Sequence, residues 1–567
     1  MPTVSTKQRH NKERRTVSGQ SSTGDASALE AEEVSRTRER APESLQRWWW
    51  IACILVLLVA AIIRVYALEL RPLHHDEGVN GFFLTRLFRE GKYEYDPANY
   101  HGPTLYYFAL PPAFAIGLNT IAIRLVPALF GLATVGLVLC LRRYIGSLGA
   151  LTAGALLAVS PGAVYISRYF IHEALFVFFT LALVVAAVRF YDTSRSVYLM
   201  LAAASAALMF ATKETAFISA GVLLLATALA WRVARLAREW EWKPVIPEGV
   251  NNDQLVSDVK NKPGTRQAMK NIGTLARFGG AQRLIILFIA AFALFILINI
   301  LFYSSFFTYS KGVEGALKTF SIWTKTGSSD HTAPFHRYIK WLLQEESPLL
   351  ILGTAGAALA LLRIGVDRFA LFAGAWAFGT LLAYSLIPYK TPWLALSFIV
   401  PLAIVGGYTV NVLYLWCLRR EIAWRALPLV LAFAGIAVCV YQSVRLNFQH
   451  YDDDRYPYVY AHTRREFLQL VAEVERLAAR AGTGRETRIA LASPDYWPMP
   501  WYLREYKHVG FHGRVGNYSD AIIIANETQE AELEPLLGDK YQRVGTAYAL
   551  RPGVNLVIYA RRELAGL

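Results

Sequence analysis

The sequence predicts an α-helical polytopic membrane protein of about eleven transmembrane helices with a small extracytoplasmic α/β domain at its C-terminal end. Three observations lead there: the 567 residues are 54% hydrophobic, the apolar residues arrive in blocks, and basic residues collect at alternate ends of those blocks. A bilayer-crossing helix needs about 17–25 apolar residues. Runs of that kind fall near 48–68, 121–141, 148–166, 172–190, 196–211, 215–232, 283–303, 348–363, 368–388, 393–417 and 425–443, the fifth being short.

A net charge of +15 would suit a nucleic-acid partner, but its placement points elsewhere. Lys and Arg crowd residues 1–47, the pair Arg142-Arg143, the loop 232–283 and Arg419-Arg420. Those are the segments that the positive-inside rule assigns to the cytoplasm. The basic surplus is thus topology, and no nucleic acid is expected. The chain is read as multi-pass in the cytoplasmic membrane, N-terminus inside and C-terminal domain outside. Residues 1–47, polar and without apolar periodicity, read as a disordered tail. The first run is longer than a signal-peptide core and lacks a small-residue cleavage site, so it reads as an anchor. Cys53, Cys140, Cys417 and Cys439 all fall in or at the spans, which leaves no disulfide framework in a wet, oxidising compartment.

This divides the chain into a tail (1–47), a membrane domain (48–443) and an external α/β domain (444–567). The stretch 103–118 is a further apolar run, but a crossing there would put Arg142-Arg143 outside. It is read as a helix lying along the membrane surface within a first external loop, 69–120. A second external loop spans 304–347. Beyond 443, residues 462–480 have helical apolar spacing, and β-like runs follow at 488–491, 521–524 and 556–559, the alternation of a small α/β domain. No internal repeat of the transporter kind is visible.

The chemistry concentrates where ionisable residues border apolar helices, because a charge at the bilayer centre costs about 2.5–3.5 kcal/mol. His74-His75-Asp76-Glu77-Gly78 follows the first run. Arg168, His172 and Glu173 come at the end of one run and the start of the next, Lys213 and Glu214 between two others, and Lys390 at a later junction. The topology puts all of them on the outer side. Each has an ordinary explanation: a Lys or Arg at a helix end snorkels to headgroups, Asp76-Glu77 suits the cap of a helix over 78–89, Glu173 suits a structural pair, and His172 a hydrogen-bonded core histidine. Convergence on one side is what capping and snorkelling do not require. A carboxylate near an acceptor hydroxyl is a general base, and Lys and Arg hold a phosphate and its departing charge. With no nucleotide fingerprint in the chain, the donor expected is lipid-linked.

At these residues the chain resembles the integral-membrane glycosyltransferases of GT-C type that use polyprenyl-phosphate sugars, among them protein O-mannosyltransferases and the aminoarabinose transferases of lipid A. The likeness rests on Asp76-Glu77 after the first span, on His101-Gly102-Pro103-Thr104-Leu105-Tyr106-Tyr107, on Arg124-Leu125-Val126-Pro127-Ala128, on Glu173 after Ser167-Arg168, and on Thr212-Lys213-Glu214. Glu173 stands where those enzymes usually have Asp. His-x-Asp-Glu-Gly, Tyr-His-Gly-Pro, Lys-Glu-Thr and Tyr-Lys-Thr-Pro-Trp, with Pro457 to Thr463 and Tyr496 to Arg504, are similar to the archaeal and bacterial branch labelled flippase-activity-associated. The resemblance covers nearly the whole chain outside the tail and the loop 232–283.

The resemblance implies an inverting transferase on the outer face of the membrane, moving a sugar from a polyprenyl-phosphate donor to an unknown protein or glycolipid acceptor among the membrane lipids. Asp76 would be the base, Glu77 its helper, and Glu173 a third catalytic carboxylate. Arg168, Lys213 and Lys390 would meet the phosphate, while His101 and Glu173 position sugar or acceptor. His74, His75, His172 and His336 are auxiliary candidates. Nothing in the residues requires a metal, though Asp76, Glu77, Glu173 and His74 are the set that would gather a divalent cation, as in oligosaccharyl transferases. The alternative is a non-catalytic protein that binds lipid-linked sugars and assists flippase activity. An ion-coupled transporter fits less well, since its acids belong at mid-membrane. The bases and aromatics of His331 to Tyr338 suit either a lid or a loop packed on the membrane. The run Tyr496 to Tyr502 suits core packing better than sugar stacking.

Overall fold

The computed structural model describes residues 43–99, 101–241, 278–326, 333–362, 367–420 and 423–566. The expectations for the tail, for most of the loop 232–283 and for His331 lie outside those residues. Two compact units are present, Met1–Ile54 and Leu55–Leu567. The first holds the opening turns of helix Glu43–Val65; the second holds every other element.

All eleven apolar runs are helices. Eight are long and apolar enough to cross a membrane singly, and ten if each of two bent pairs counts as one span. Helix Ser196–Phe210 has 15 residues, which at ~1.5 Å per residue falls short of a ~30 Å hydrocarbon core. The protein is therefore a polytopic helical membrane protein of eight to ten long spans. Helix Ala281–Tyr303 has a mean hydropathy of 3.1 and only Ala291 buried; so apolar an uncovered surface is stable only against lipid. Helix Leu396–Arg419 lies at the other extreme, with Phe398 to Leu402 fully buried. It packs among Ser147–Val159, Ser347–Leu362 and Arg368–Leu386. Small residues permit the approach: a Cβ at Gly407 would lie 2.8 Å from that of Ala153, and one at Gly353 2.7 Å from the Leu402 side chain. Backbones that close are the usual basis of helix association in lipid.

Breaks in the helices deliver the site. Helix Ser147–Val159 bends by 59° into Pro161–Ser167, because Pro161 has no N–H to continue the ladder and Ser160 caps the new helix at Ala163 N, 3.2 Å away. The chain then turns through Arg168 to His172 before helix Glu173–Thr193. Helix Thr104–Ile116 is the run expected on the membrane surface. Its entry is joined to another turn: Gly102 N donates to Thr212 O (3.0 Å) and Thr104 Oγ1 to Thr212 Oγ1 (2.8 Å).

The C-terminal α/β domain is built on a five-stranded sheet, β1 (Arg488–Leu491), β2 (His508–Phe511), β3 (Ile522–Asn526), β4 (Tyr541–Arg551) and β5 (Val554–Arg561), in the order β2-β1-β3-β5-β4. β1 runs parallel to both neighbours, and β5 antiparallel to β3 and β4. Side chains alternate between faces. Ile489, Leu491, Ile522 and Ile524 pack with Phe467, Leu470, Val474 and Leu477 of helix Glu466–Arg480, while Ala490, Ile523 and Val557 pack with Leu533 and Leu537 of helix Glu530–Leu537. β2 and β4 are absent from the sequence expectation.

The run Tyr496 to Tyr502 docks on helix His75–Glu90. A Cβ at Gly81 would lie 2.6 Å from the Trp501 ring, and one at Gly78 2.6 Å from Pro498. Tyr502 Oη accepts from Leu73 N at 2.9 Å. These aromatics are packing, the better of the two readings of that run.

Candidate active site

Helix His75–Glu90 begins with a reciprocal cap. His74 Nδ1 accepts from Asp76 N (3.1 Å), and the Glu77 carboxylate accepts from His74 N (2.9 Å). With Nδ1 an acceptor, the other ring nitrogen carries the hydrogen and donates to Tyr460 O at 3.1 Å. His74 is thus fixed by structure at both nitrogens.

The adjacent acids part company completely. Glu77 is fully buried, and Arg124 grips it through Nε to Oε1 (2.8 Å) and Nη2 to Oε2 (2.7 Å), while Phe170 N donates to Oε1 (2.9 Å). The remaining Arg124 hydrogens go to the carbonyls of Leu68, Arg71 and Pro72. Burial alone would raise the Glu77 carboxyl, but the charge and hydrogen bonds of Arg124, with Arg71 nearby, hold it below the ordinary range. All four lone pairs of this carboxylate are taken up by hydrogen bonds within the protein. Asp76 is 39% exposed; the ring of His74, 3.9 Å away, is neutral in this tautomer, and no Lys or Arg pairs with Asp76 among the described residues.

Arg168 is engaged within the fold as well. Its guanidinium donates to the carbonyls of Ile63, Arg64, Tyr66 and Ala67 (2.6–3.3 Å). These are orphan acceptors at the C-terminal end of the first helix, where a cation also suits the helix dipole. It lines neither of the two cavities described below. His336 precedes helix Arg337–Glu345 on the surface, and it too lines no described cavity.

The other candidates converge. A cavity of about 230 Å³ is lined by His75, Asp76, His101, His172, Glu173, Lys213 and Glu214, with Asn80, Asn99, Thr215, Tyr384, Tyr389 and Trp393. Lys213 and Glu173 form a buried ion pair. Burial would lower the Lys213 ammonium, but Glu173 and Glu214 outweigh it and hold it above its usual value. His101 Nδ1 lies 2.9 Å from Glu214 Oε2, a carboxylate that is 4% exposed. Against the cost of burial, His101 and Lys213 keep that carboxyl below its ordinary range. The His172 ring faces that of His101 at 4.9 Å, and burial, followed by the charges of His101 and Lys213, pushes it well below the usual histidine range. Three carboxylates therefore face one ammonium that is already engaged.

A second groove adjoins it, about 530 Å³, lined by Arg337, Trp341, Lys390, Asp454, Tyr456, Tyr460 and Arg551. Lys390 is 3% exposed and donates to the carbonyls of Ser385 (3.0 Å) and Ile387 (2.6 Å), with no carboxylate beside it among the described residues. Burial lowers its ammonium. Arg337 stands over Trp341, and Arg551 pairs with Asp495. The wall between the two spaces is thin: His75 of the cavity lies 3.3 Å from Arg551 of the groove, and Trp393 meets Tyr460 at 6.0 Å. Asp76 stands at that wall. Arg337 and Tyr460 entered the sequence reading only as members of the segments His331 to Tyr338 and Pro457 to Thr463, without a role at the site; their placement in the groove is set by chain turns far apart in sequence.

A divalent site on Asp76, Glu77, Glu173 and His74 does not fit. Glu77 is taken up by Arg124, Glu173 by Lys213, and both His74 nitrogens by backbone. Among the described residues no three His, Cys, Asp or Glu side chains stand close enough together to hold one metal ion.

Fold and site together define a polytopic membrane protein with an acidic cavity at the helix ends. Its similarities to known proteins agree. Residues 101–246 match the family described as dolichyl-phosphate-mannose-protein mannosyltransferase. ArnT from Cupriavidus metallidurans, solved with undecaprenyl phosphate bound, has the same fold, with a TM-score of 0.58 at 14% identity over 93% of this chain and 100% of that one. The Archaeoglobus fulgidus oligosaccharyltransferase, in complex with Zn and sulfate, gives 0.52 at 13% over 88% of this chain and 73% of that one. At such identities the likeness is one of fold. No curated protein matches the sequence.

Proposed function

We propose that the chain is an inverting glycosyltransferase that moves a sugar from a polyprenyl-phosphate donor to a protein or glycolipid acceptor on the outer face of the cytoplasmic membrane. The observation that carries this reading is Asp76, the one member of the acidic pair without a basic partner, at the wall between an acid-lined cavity and a basic groove. A phosphate is repelled by a cavity with three carboxylates and attracted by Lys390 and Arg337, so the phosphate lies in the groove and the sugar in the cavity. The acceptor oxygen attacks the anomeric carbon and its proton passes to Asp76. The bond to phosphate breaks with its electron pair on the phosphate oxygen, where Lys390 and Arg337 stabilise the added charge. Lys213, committed to Glu173, holds the cavity's shape. The fold shared with ArnT supports a lipid-phosphate donor here.

The motifs shared with the flippase-associated branch favour a second reading, in which the same two spaces bind a lipid-linked sugar without breaking a bond. Incubating the purified protein in nanodiscs with radiolabelled polyprenyl-phosphate hexoses separates the two. Wild type releases polyprenyl phosphate, and Asp76→Asn slows release by about 10²–10⁴-fold. Release at the wild-type rate in Asp76→Asn would remove the base assignment, and donor bound but never consumed would favour the second reading.

A further inference from the structure

The transferase reading leaves the α/β domain without a role, yet that domain reaches the wall between the cavity and the groove. β4 ends at Arg551, and the chain reverses through Pro552 and Gly553, whose φ of 78° favours glycine. Arg551 lines the groove and meets His75, which lines the cavity. Arg551 Nη1 lies 3.3 Å from His75 Nδ1, while Nη2 is taken by Asp495. The Trp497 ring lies 6.1 Å from the imidazole. His75 opens helix His75–Glu90, but Arg551, Asp495 and Trp497, all of the α/β domain, gather around its ring.

These contacts decide where the imidazole hydrogen sits. A guanidinium can only donate, so Nδ1 is the acceptor and a neutral ring carries its hydrogen on Nε2. Burial lowers the imidazole below its ordinary range, against the pull of Asp76, and keeps the ring neutral. His74 is set in the same tautomer, but its Nε2 is spent on the Tyr460 carbonyl. His75 is different. It is only half-buried, and its Nε2 is reached by solvent and has no partner among the described residues.

An N–H of that kind is what the cavity needs. Asp76, Glu173 and Glu214 are carboxylates that only accept, and the Lys213 ammonium is committed to Glu173. Sugar hydroxyls give their hydrogens readily to such a wall. Their oxygens carry lone pairs as well, and these require a donor in return. His75 Nε2–H supplies one in the residue next to Asp76.

We propose that His75 hydrogen-bonds an oxygen of the transferred sugar through Nε2–H, and that Arg551 is the positioning residue that holds it in that state, so that the α/β domain completes the active site. This rests on the transferase reading above.

The test uses the full chain in nanodiscs with the polyprenyl-phosphate hexose that it consumes fastest. It compares His75→Gln with His75→Asn, with thermal unfolding of each protein measured without donor. The Gln amide nitrogen falls near the place of Nε2 and restores a donor there, whereas the shorter Asn amide falls near Nδ1. His75→Asn is therefore expected to lose about tenfold in kcat/KM, and His75→Gln to keep most of what Asn loses. Arg551→Met is expected to slow wild type by about fivefold and to change His75→Gln by less than about twofold, because an amide has no tautomer to be chosen. All three variants are expected to unfold near the wild-type temperature, since both side chains are partly in solvent. Equal losses in His75→Gln and His75→Asn would overturn the proposal while leaving the transferase standing, and so would a fall in Tm of several degrees, which assigns His75 to the fold. An Arg551→Met loss of the same size in both backgrounds would overturn the positioning role and place the Arg551 charge on the phosphate instead. If wild type consumes no hexose donor, the transferase reading fails first. Equilibrium binding of the same donors then carries the comparison: His75→Gln is expected to bind more tightly than His75→Asn, and equal affinities would overturn the proposal.

Discussion

Asp76 and Glu77 are neighbours that carry the same charge and differ by one CH₂, yet the fold surrounds them in opposite ways. Glu77 meets Arg124, 47 positions on, in a site from which water is excluded. Removing one partner of such a pair leaves the other charge buried and unpaired, at a cost of about 3–5 kcal/mol. Glu77→Gln is therefore expected to lower the unfolding temperature sharply in detergent, whereas Asp76→Asn, with its side chain partly in solvent, abolishes turnover at near-wild-type stability. Equal melting curves for Glu77→Gln and wild type would show that the pair contributes little. The Glu77 carboxyl is held below its ordinary value of 4.5. Its contribution is therefore complete above about that pH and is lost as pH falls through the lower folded value, an acid sensitivity that Glu77→Gln should lack. The sequence shows both acids and their place after the first span. It does not show which is saturated, because the saturating groups, Arg124 and the Phe170 amide, arrive from other spans. Arg168 misleads for the same reason: a conspicuous cation beside an acid, it is consumed by carbonyls at the end of a helix a hundred residues earlier.

Among elements, the apolar helices are legible because period and length leave one solution in lipid, and every expected run is a helix. The α/β domain is legible only where apolar runs are unbroken. β3 and β5 carry consecutive Ile, Leu and Val buried on both faces. β2 has four residues, one of them Gly, and β4 reads as polar between Tyr541 and Tyr548, with a register shift along the edge; neither has a pattern of its own. The joint between His101 and Lys213-Glu214 is likewise invisible in sequence, because it depends on a backbone approach. Gly102 lies so close to the Ala211 carbonyl that a Cβ would overlap it, and the contact is to backbone, which cannot swing aside. Gly102→Ala should push the segment entering helix Thr104–Ile116 away from the turn after Phe210, parting His101 from Glu214. The expected result is a loss of donor turnover of at least tenfold in a protein that still folds and inserts, read by turnover and thermal unfolding together. Full activity in Gly102→Ala would mean that the His101–Glu214 contact is not needed.

At the scale of the whole molecule, the basic residues and the cavity make one claim, because the reading of function needs Asp76 and the α/β domain on the side away from Arg142-Arg143 and Arg419-Arg420. The chain supplies its own probe. Cys140 is exposed and stands two residues from Arg142, while Cys53, Cys417 and Cys439 are buried. Placing a Cys at Asn517, in the loop before β3 that rims an open cleft with Arg488 and His508, gives a second probe in the α/β domain. By the positive-inside rule the two lie on opposite sides. A membrane-impermeant maleimide added to intact spheroplasts should therefore label Asn517→Cys at once and leave Cys140 untouched until the membrane is opened. Labelling of Cys140 from outside, with Asn517→Cys protected, would invert the topology. It would put Asp76 and Lys390 in the cytoplasm, where the donor would have to present its sugar on the inner leaflet. Labelling of both from outside would instead mean that the crossings between them are odd by one. Ser196–Phe210 lies between the two probes, as do the two bent helix pairs; one of these three would have to fail to cross, which 15 residues make physically reasonable for the first.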